Sequence, residues 1–166
     1  MNRKLSATSR TETCRLGPGT VTVRWAKDKV SSVVLEPCPT SCVTYQPRCH
    51  GQLARDLTRV LSGAPAFGQL PIDTGRLSPF ARRVLSRCAG IRPGQVMTYG
   101  ELARAVGRPG AARAVGQVLA HNPFPLLVPC HRVVGAGLRL TGFRGGLAWK
   151  EHLLAQEGWR IAGGPT

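Results

Sequence analysis

The chain has 166 residues, enough for one domain of ordinary size or two small ones sharing a core. Hydrophobic residues make up 42%, so a packed core is within reach, yet no run of about 18 apolar residues could span a membrane. Twenty-three Lys and Arg against eight Asp and Glu give a net charge of +15, which points to a polyanionic partner, nucleic acid before an anionic membrane surface. The charge is uneven. Residues 74–150 carry twelve basic side chains and one acid, Glu101, while residues 1–73 net +5. Nearly all of the positive residues in the second half are Arg, which suits phosphate and planar partners. The N-terminus, MNRKLSATSR, is polar and basic with no apolar stretch behind it, so it does not read as a secretory signal. Six cysteines in such a chain are expected as reduced thiols.

In chain order, residues 1 to 13 are expected to be disordered. GTVTVRWAKDKVSSVVLEP reads as a hairpin, with Thr20 to Trp25 alternating, a polar turn at Lys27 to Lys29, and Ser31 to Leu35 running back. PCPTSCVTYQPRCHG is a Pro- and Cys-rich loop. Its Cys38, Cys42, Cys49 and His50, with Cys14 nearby, are the weak candidates for a zinc site; the ligand types suit zinc, but the spacing fits no standard finger. QLARDLTRVLSG puts Leu53, Leu57, Val60 and Leu61 on one helical face with Gly63 as a stop. AFGQLPID is a short extended segment, and DTGRL a turn-rich linker at a domain boundary.

The second half is mainly helical. Ser78 is an N-cap with Pro79 at the first helical position, and Phe80, Val84, Leu85 and Cys88 share a face before Gly90. Thr98 to Glu101 has the form of a capping box ahead of LARAV; GRPG breaks that helix and AARAVGQVLA begins another. Two short helices about a Gly-containing turn in a basic region predict either a helix-turn-helix or a simple packing hairpin. The second helix has a surface of small residues, Ala111, Ala112, Ala114 and Gly116, with Arg113 the one large side chain among them. Such a surface lies close to another backbone, protein or DNA. In LLVPCHRVVG, Pro129 predicts a bend that could bring Cys130 and His131 together. From these residues alone Cys130 is a nucleophile, a metal ligand or an inert buried thiol.

VPCHRVVG, preceded by AHNP and followed by GFRGGLAWKEHLLAQEG, closely resembles the O6-alkylguanine-DNA alkyltransferase family, and F-x3-VL, PG-x3-TYGELA and AARAVG fit it in order upstream. The resemblance implies an α+β protein: a small N-terminal αβ domain with an antiparallel sheet, ribonuclease H-like, over residues 1–75, then a mainly helical, winged-helix-like helix-turn-helix domain over residues 76–166. It implies irreversible, single-turnover transfer of the alkyl group from O6-alkylguanine, and O4-methylthymine, in double-stranded DNA to Cys130. His131 would be the base, acting through a water, and Glu157 its orienter. Asn122 would tie the recognition helix to the active-site turn, and Tyr99 would reach the guanine ring. Arg113 would fill the stack left by the flipped base, with Thr98, Tyr99, Ala112, Ala114 and Gly116 on the DNA face. Val133, Phe143, Arg144, Lys150 and Pro125 would form the substrate pocket. No metal or organic cofactor is needed for the transfer, and the protein is expected to be a monomer, in the nucleus of a eukaryote or the cytoplasm of a bacterium. Phe143 stands where the family often has Tyr, and Arg144 where a small residue is frequent, so alkyl preference is open. Two other readings compete: a lesion sensor whose pocket is blocked by Arg144, and a Cys-His hydrolase.

Overall fold

The computed structural model of the chain describes residues 9–37, 55–57, 59 and 71–159. Three antiparallel strands come first: β1 (Ser9–Leu16), β2 (Gly19–Ala26) and β3 (Lys29–Pro37), in the order β1-β2-β3. Alternation decides which face is buried: Val21, Val23 and Trp25 of β2 point inward while Arg24 and Ala26 are exposed. The hairpin is therefore where its pattern placed it.

The strand β1 is a correction to the expected disorder. SRTETCRL is polar, and Cys14 is fully buried among mostly exposed neighbours, so the segment has no strand pattern of its own. Its order comes from pairing in register with β2, Ser9 opposite Ala26 through Leu16 opposite Gly19. The Arg10 guanidinium adds a contact over the Trp25 ring at 4.6 Å. Cys14 also departs from the expectation of reduced thiols, because it is disulfide-bonded, whereas Cys88 and Cys130 are free. Compartment rules describe average redox conditions, while pairing is decided by which sulfurs the fold brings together. The zinc candidates Cys38, Cys42, Cys49 and His50 lie outside the described residues, and no group of three potential ligands occurs among those described. The predicted helix over residues 52–63 is described only at 55–57 and 59, which are helical, with Leu57 fully buried.

Ile72 makes a parallel bridge to Val30, closed by hydrogen bonds from Val30 N to Pro71 O and from Asp73 N to Val30 O. Four helices follow: α1 (Pro79–Ala89), α2 (Tyr99–Ala105), α3 (Ala112–Ala120) and α4 (Leu147–Gln156). The Ser78 hydroxyl caps α1 by accepting from Ala81 N, with Pro at the start, and Val84, Leu85 and Cys88 are buried. The box at Thr98 is complete, with each side chain bonded to the other residue's backbone N–H. Two short strands, β4 (Met97–Thr98) and β5 (Val133–Val134), pair in parallel, Met97 with Val133 and Thr98 with Val134. That pairing draws the start of α2 beside the segment that follows Cys130.

One apolar cluster runs from Val21, Val23 and Val33 of the sheet through Leu57 to Val84, Leu102, Val115 and Trp149. Beside this cluster, backbone carbonyls tie the sheet to the helical part. Val33 N donates to Pro123 O at 2.7 Å and Trp149 Nε1 to Glu36 O at 3.3 Å. Gly145 is required there, since a β-carbon would stand 2.9 Å from Leu35 Cβ. Among the described residues no helix is long and apolar enough to cross a membrane.

Candidate active site

Asn122, two residues past the end of α3, organises the approach to Cys130. Its Oδ1 accepts from Phe124 N at 2.9 Å, and its Nδ2 donates to Val128 O at 3.3 Å and to Cys130 Sγ at 3.2 Å. Between these anchors Leu126 takes a left-handed backbone conformation, φ 71, which a bulky residue adopts only when its surroundings impose it. Residues Cys130–Arg132 then form a single 3-10 turn starting at Pro129. The bend predicted at Pro129 is present, yet Cys130 and His131 do not bond each other directly. The turn sends Sγ toward Asn122 and the imidazole toward Glu157.

His131 Nε2 meets Glu157 Oε1 at 3.0 Å, both side chains almost wholly buried. His131 Nδ1 is buried with no hydrogen-bond partner among the described residues. Arg132 completes the cluster and was not singled out by sequence. Its Nε donates to both carboxylate oxygens of Glu157 at 3.0 Å, its Nη2 to Oε1 at 2.6 Å, and its Nη1 to Ile91 O at 2.6 Å. Its place inside the P-C-H-R-V motif is the one signal in the sequence, where its charge looks like that of the exposed arginines. Lys150 is likewise internal: fully buried, it donates from Nζ to Val133 O at 2.6 Å and Thr141 O at 3.2 Å. The other ten basic residues between 74 and 150 are exposed.

Electrostatics assign protonation states. Burial raises the Cys130 thiol above its ordinary value, opposed by the Asn122 hydrogen bond and the Lys150 charge. Burial lowers His131, and although Glu157 pulls the other way the imidazole stays neutral near pH 7. Burial alone would raise Glu157, but hydrogen bonds from His131 and Arg132, with the Arg132 charge, bring it down to about 2. With His131 neutral, Arg132 is the cation that carries this pairing. Burial also brings Lys150 down to about 8, so it is still largely charged at pH 7.

Cys130 opens onto a pocket of about 370 Å³ lined by Tyr99, Gly116, Leu119, Phe143 and Arg144 among others. Arg144 lines this pocket without filling it. A wider groove of about 790 Å³ adjoins it and is bordered by Thr98, Tyr99, Ala112, Arg113, Gly116 and Thr141. Tyr99 and Gly116 belong to both, so groove and pocket are continuous. Arg113 and Ala114 are exposed on α3, and Thr141 Oγ1 donates to Tyr99 OH at 3.1 Å. Three of the residues expected in the pocket lie elsewhere. Val133 and Pro125 are buried behind the turn, and Lys150 sits beneath it on the carbonyl of Val133.

Residues 79–159 match the family described as 6-O-methylguanine DNA methyltransferase, DNA binding domain. A methylated-DNA–protein-cysteine methyltransferase of Mycolicibacterium paratuberculosis is 43% identical over 114 residues, 69% of this chain and 68% of that one. The chain belongs to the 6-O-methylguanine DNA methyltransferase family. The namesake protein of Shigella flexneri is 51% identical over 92 residues, and there the match spans 55% of this chain but only 53%, about half, of the relative. The crystal structure of Mycobacterium tuberculosis OGT in complex with DNA superposes with a TM-score of 0.72 at 32% identity, covering 90% of this chain and 92% of that one. The family's fold, α+β with a small antiparallel sheet and helices, is the one described above.

Proposed function

We propose that this protein repairs DNA by direct reversal, moving the alkyl group of O6-alkylguanine, and of O4-methylthymine, irreversibly to Cys130. The observation that carries the reading is a buried thiol, oriented by Asn122, at the end of a pocket that opens onto an Arg-bearing groove. A stacked base hides its O6 carbon, so the nucleotide must leave the duplex at a cost of roughly a few kcal/mol. Arg113, exposed among small side chains on α3, is suited to fill the gap, and Tyr99, shared by groove and pocket, to contact the base on its way in. Thr98, Ala112, Ala114 and Gly116 give the close, sequence-indifferent surface that the minor groove requires.

The resting thiol is protonated, so transfer needs a base. Neutral His131 has one nitrogen committed to Glu157 and the other, Nδ1, available to a bridging water. As the proton leaves, Lys150 and Asn122 favour the thiolate, which attacks the alkyl carbon while O6 leaves with the bonding pair. No metal or organic cofactor enters this scheme. The protein acts as an intracellular monomer on double-stranded DNA. The finer architecture is part of the same proposal: a ribonuclease H-like domain over residues 1–75, supported by β1-β2-β3, and a winged-helix-like domain over residues 76–166, supported by α1 to α4 and the β4-β5 pair.

Intact mass before and after mixing with a duplex containing one O6-methylguanine tests it. A single methyl group on the Cys130 peptide, saturating at one per protein, is expected. Tight binding to the lesion without a mass change would make the protein a sensor. Repeated turnover with an unmodified thiol would make it a hydrolase.

A further inference from the structure

The pocket that ends at Cys130 has one charged residue in its lining, Arg144, and no acidic residue. Arg144 is exposed and makes no ion pair among the described residues. The two buried cations near the turn are both spent internally, Arg132 on Glu157 and Lys150 on the carbonyls of Val133 and Thr141. An anion entering beside the sulfur would therefore find one uncommitted partner in the lining. We propose that Arg144 makes this protein selective for O6-alkyl groups that end in a carboxylate, with O6-carboxymethylguanine the simplest substrate. The inference rests on the alkyl-transfer reading above.

The chemistry gives the cation a specific task. Thiolate attack on a methylene that carries a carboxylate brings two negative charges together, which slows the reaction where water is scarce. A guanidinium at the pocket wall can hold the carboxylate through paired N–H donors and offset that repulsion. In the step itself the Sγ–CH2 bond forms as the CH2–O6 bond breaks. The electron pair leaves on O6, and the proton lost by the thiol is returned to the guanine through His131. The carboxylate stays on the methylene and is retained with it as an S-carboxymethyl thioether. Gly142, beside Phe143 in the lining, leaves room at the lip, since a β-carbon there would meet nothing within 4 Å.

An anionic oxygen on Arg144 could instead belong to a phosphate of the flipped nucleotide, and the two sources separate experimentally. Single-turnover transfer rates are measured on one duplex sequence carrying O6-methyl-, O6-propyl- or O6-carboxymethylguanine, for the wild type, Arg144→Gln and Arg144→Lys. Propyl is the neutral control of similar size. The carboxymethyl-to-propyl rate ratio should fall roughly tenfold or more in Arg144→Gln and recover partly in Arg144→Lys. The methyl rate of each variant serves as the reference against which its carboxymethyl and propyl rates are read. An equal loss on all three substrates assigns Arg144 to phosphate and overturns the proposal, as does an unchanged ratio. If the wild type transfers none of the three groups, the alkyl-transfer reading itself fails.

Discussion

Replacing Glu157 by Gln should be the most destabilising single change at the site. Glu157 accepts from Arg132 Nε and Nη2, from His131 Nε2 and from Gly94 N, with its side chain 2% exposed. Bringing a carboxyl from 4.5 to about 2 corresponds to roughly 3 kcal/mol of preference for the folded, ionised form. Because the folded value lies below the unfolded one, this contribution is fully present above pH 4.5 and is lost as pH falls through about 2. A glutamine removes the charge and turns an amide donor toward Arg132, leaving a buried guanidinium unpaired, a change that costs about 3–5 kcal/mol. For a chain of this size that is a fall in Tm on the order of 6–20 °C. Urea denaturation at pH 7 measures it, with Arg132→Met and the double variant completing a cycle. The double variant should recover part of the loss, because its buried charge is gone from both sides. A Glu157→Gln cost below about 1 kcal/mol, or strictly additive effects in the cycle, would refute the view that this pair anchors the turn.

Other outcomes are expected elsewhere in the molecule. Arg113→Ala should slow transfer from duplex DNA while leaving reaction with the free base O6-benzylguanine unchanged; equal rates on duplex would remove Arg113 from base extrusion. Asn122→Ala should cost about 1–3 kcal/mol in urea, since Phe124 N and Val128 O lose a buried partner, and should also slow transfer. Burial lowers His152, so its neutral form is favoured by folding, and stability should decline as pH drops below 6.5. His152→Gln should flatten that decline in a series of thermal melts; His131, also lowered by burial, sets what remains.

The parts of this fold legible in the sequence are those whose cause is local. Ser78 with Pro79, and the Thr98–Glu101 box, declare helix starts through bonds spanning three residues. The alternation of Val21, Val23 and Trp25 declares a strand with one buried face. The strand β1 was invisible because its cause is not local: polar residues gain order only from the neighbour they pair with. The same holds for charge. Arg132 and Lys150 count as external cations until burial is known, and only the fold reveals that each has an internal partner. Cys130, His131 and Glu157 were legible as a set through resemblance to the family, not through spacing. A distance of 27 residues by itself brings nothing together, and the turn at Pro129 sends the first two side chains different ways.

The junction between sheet and helices has a consequence for how this chain can diverge. Pro123 and Glu36 contribute carbonyls to it, and Gly145 contributes the absence of a side chain. A main-chain carbonyl survives almost any substitution at its own position. The outer faces of the strands are thus free to drift while the docking geometry is inherited intact.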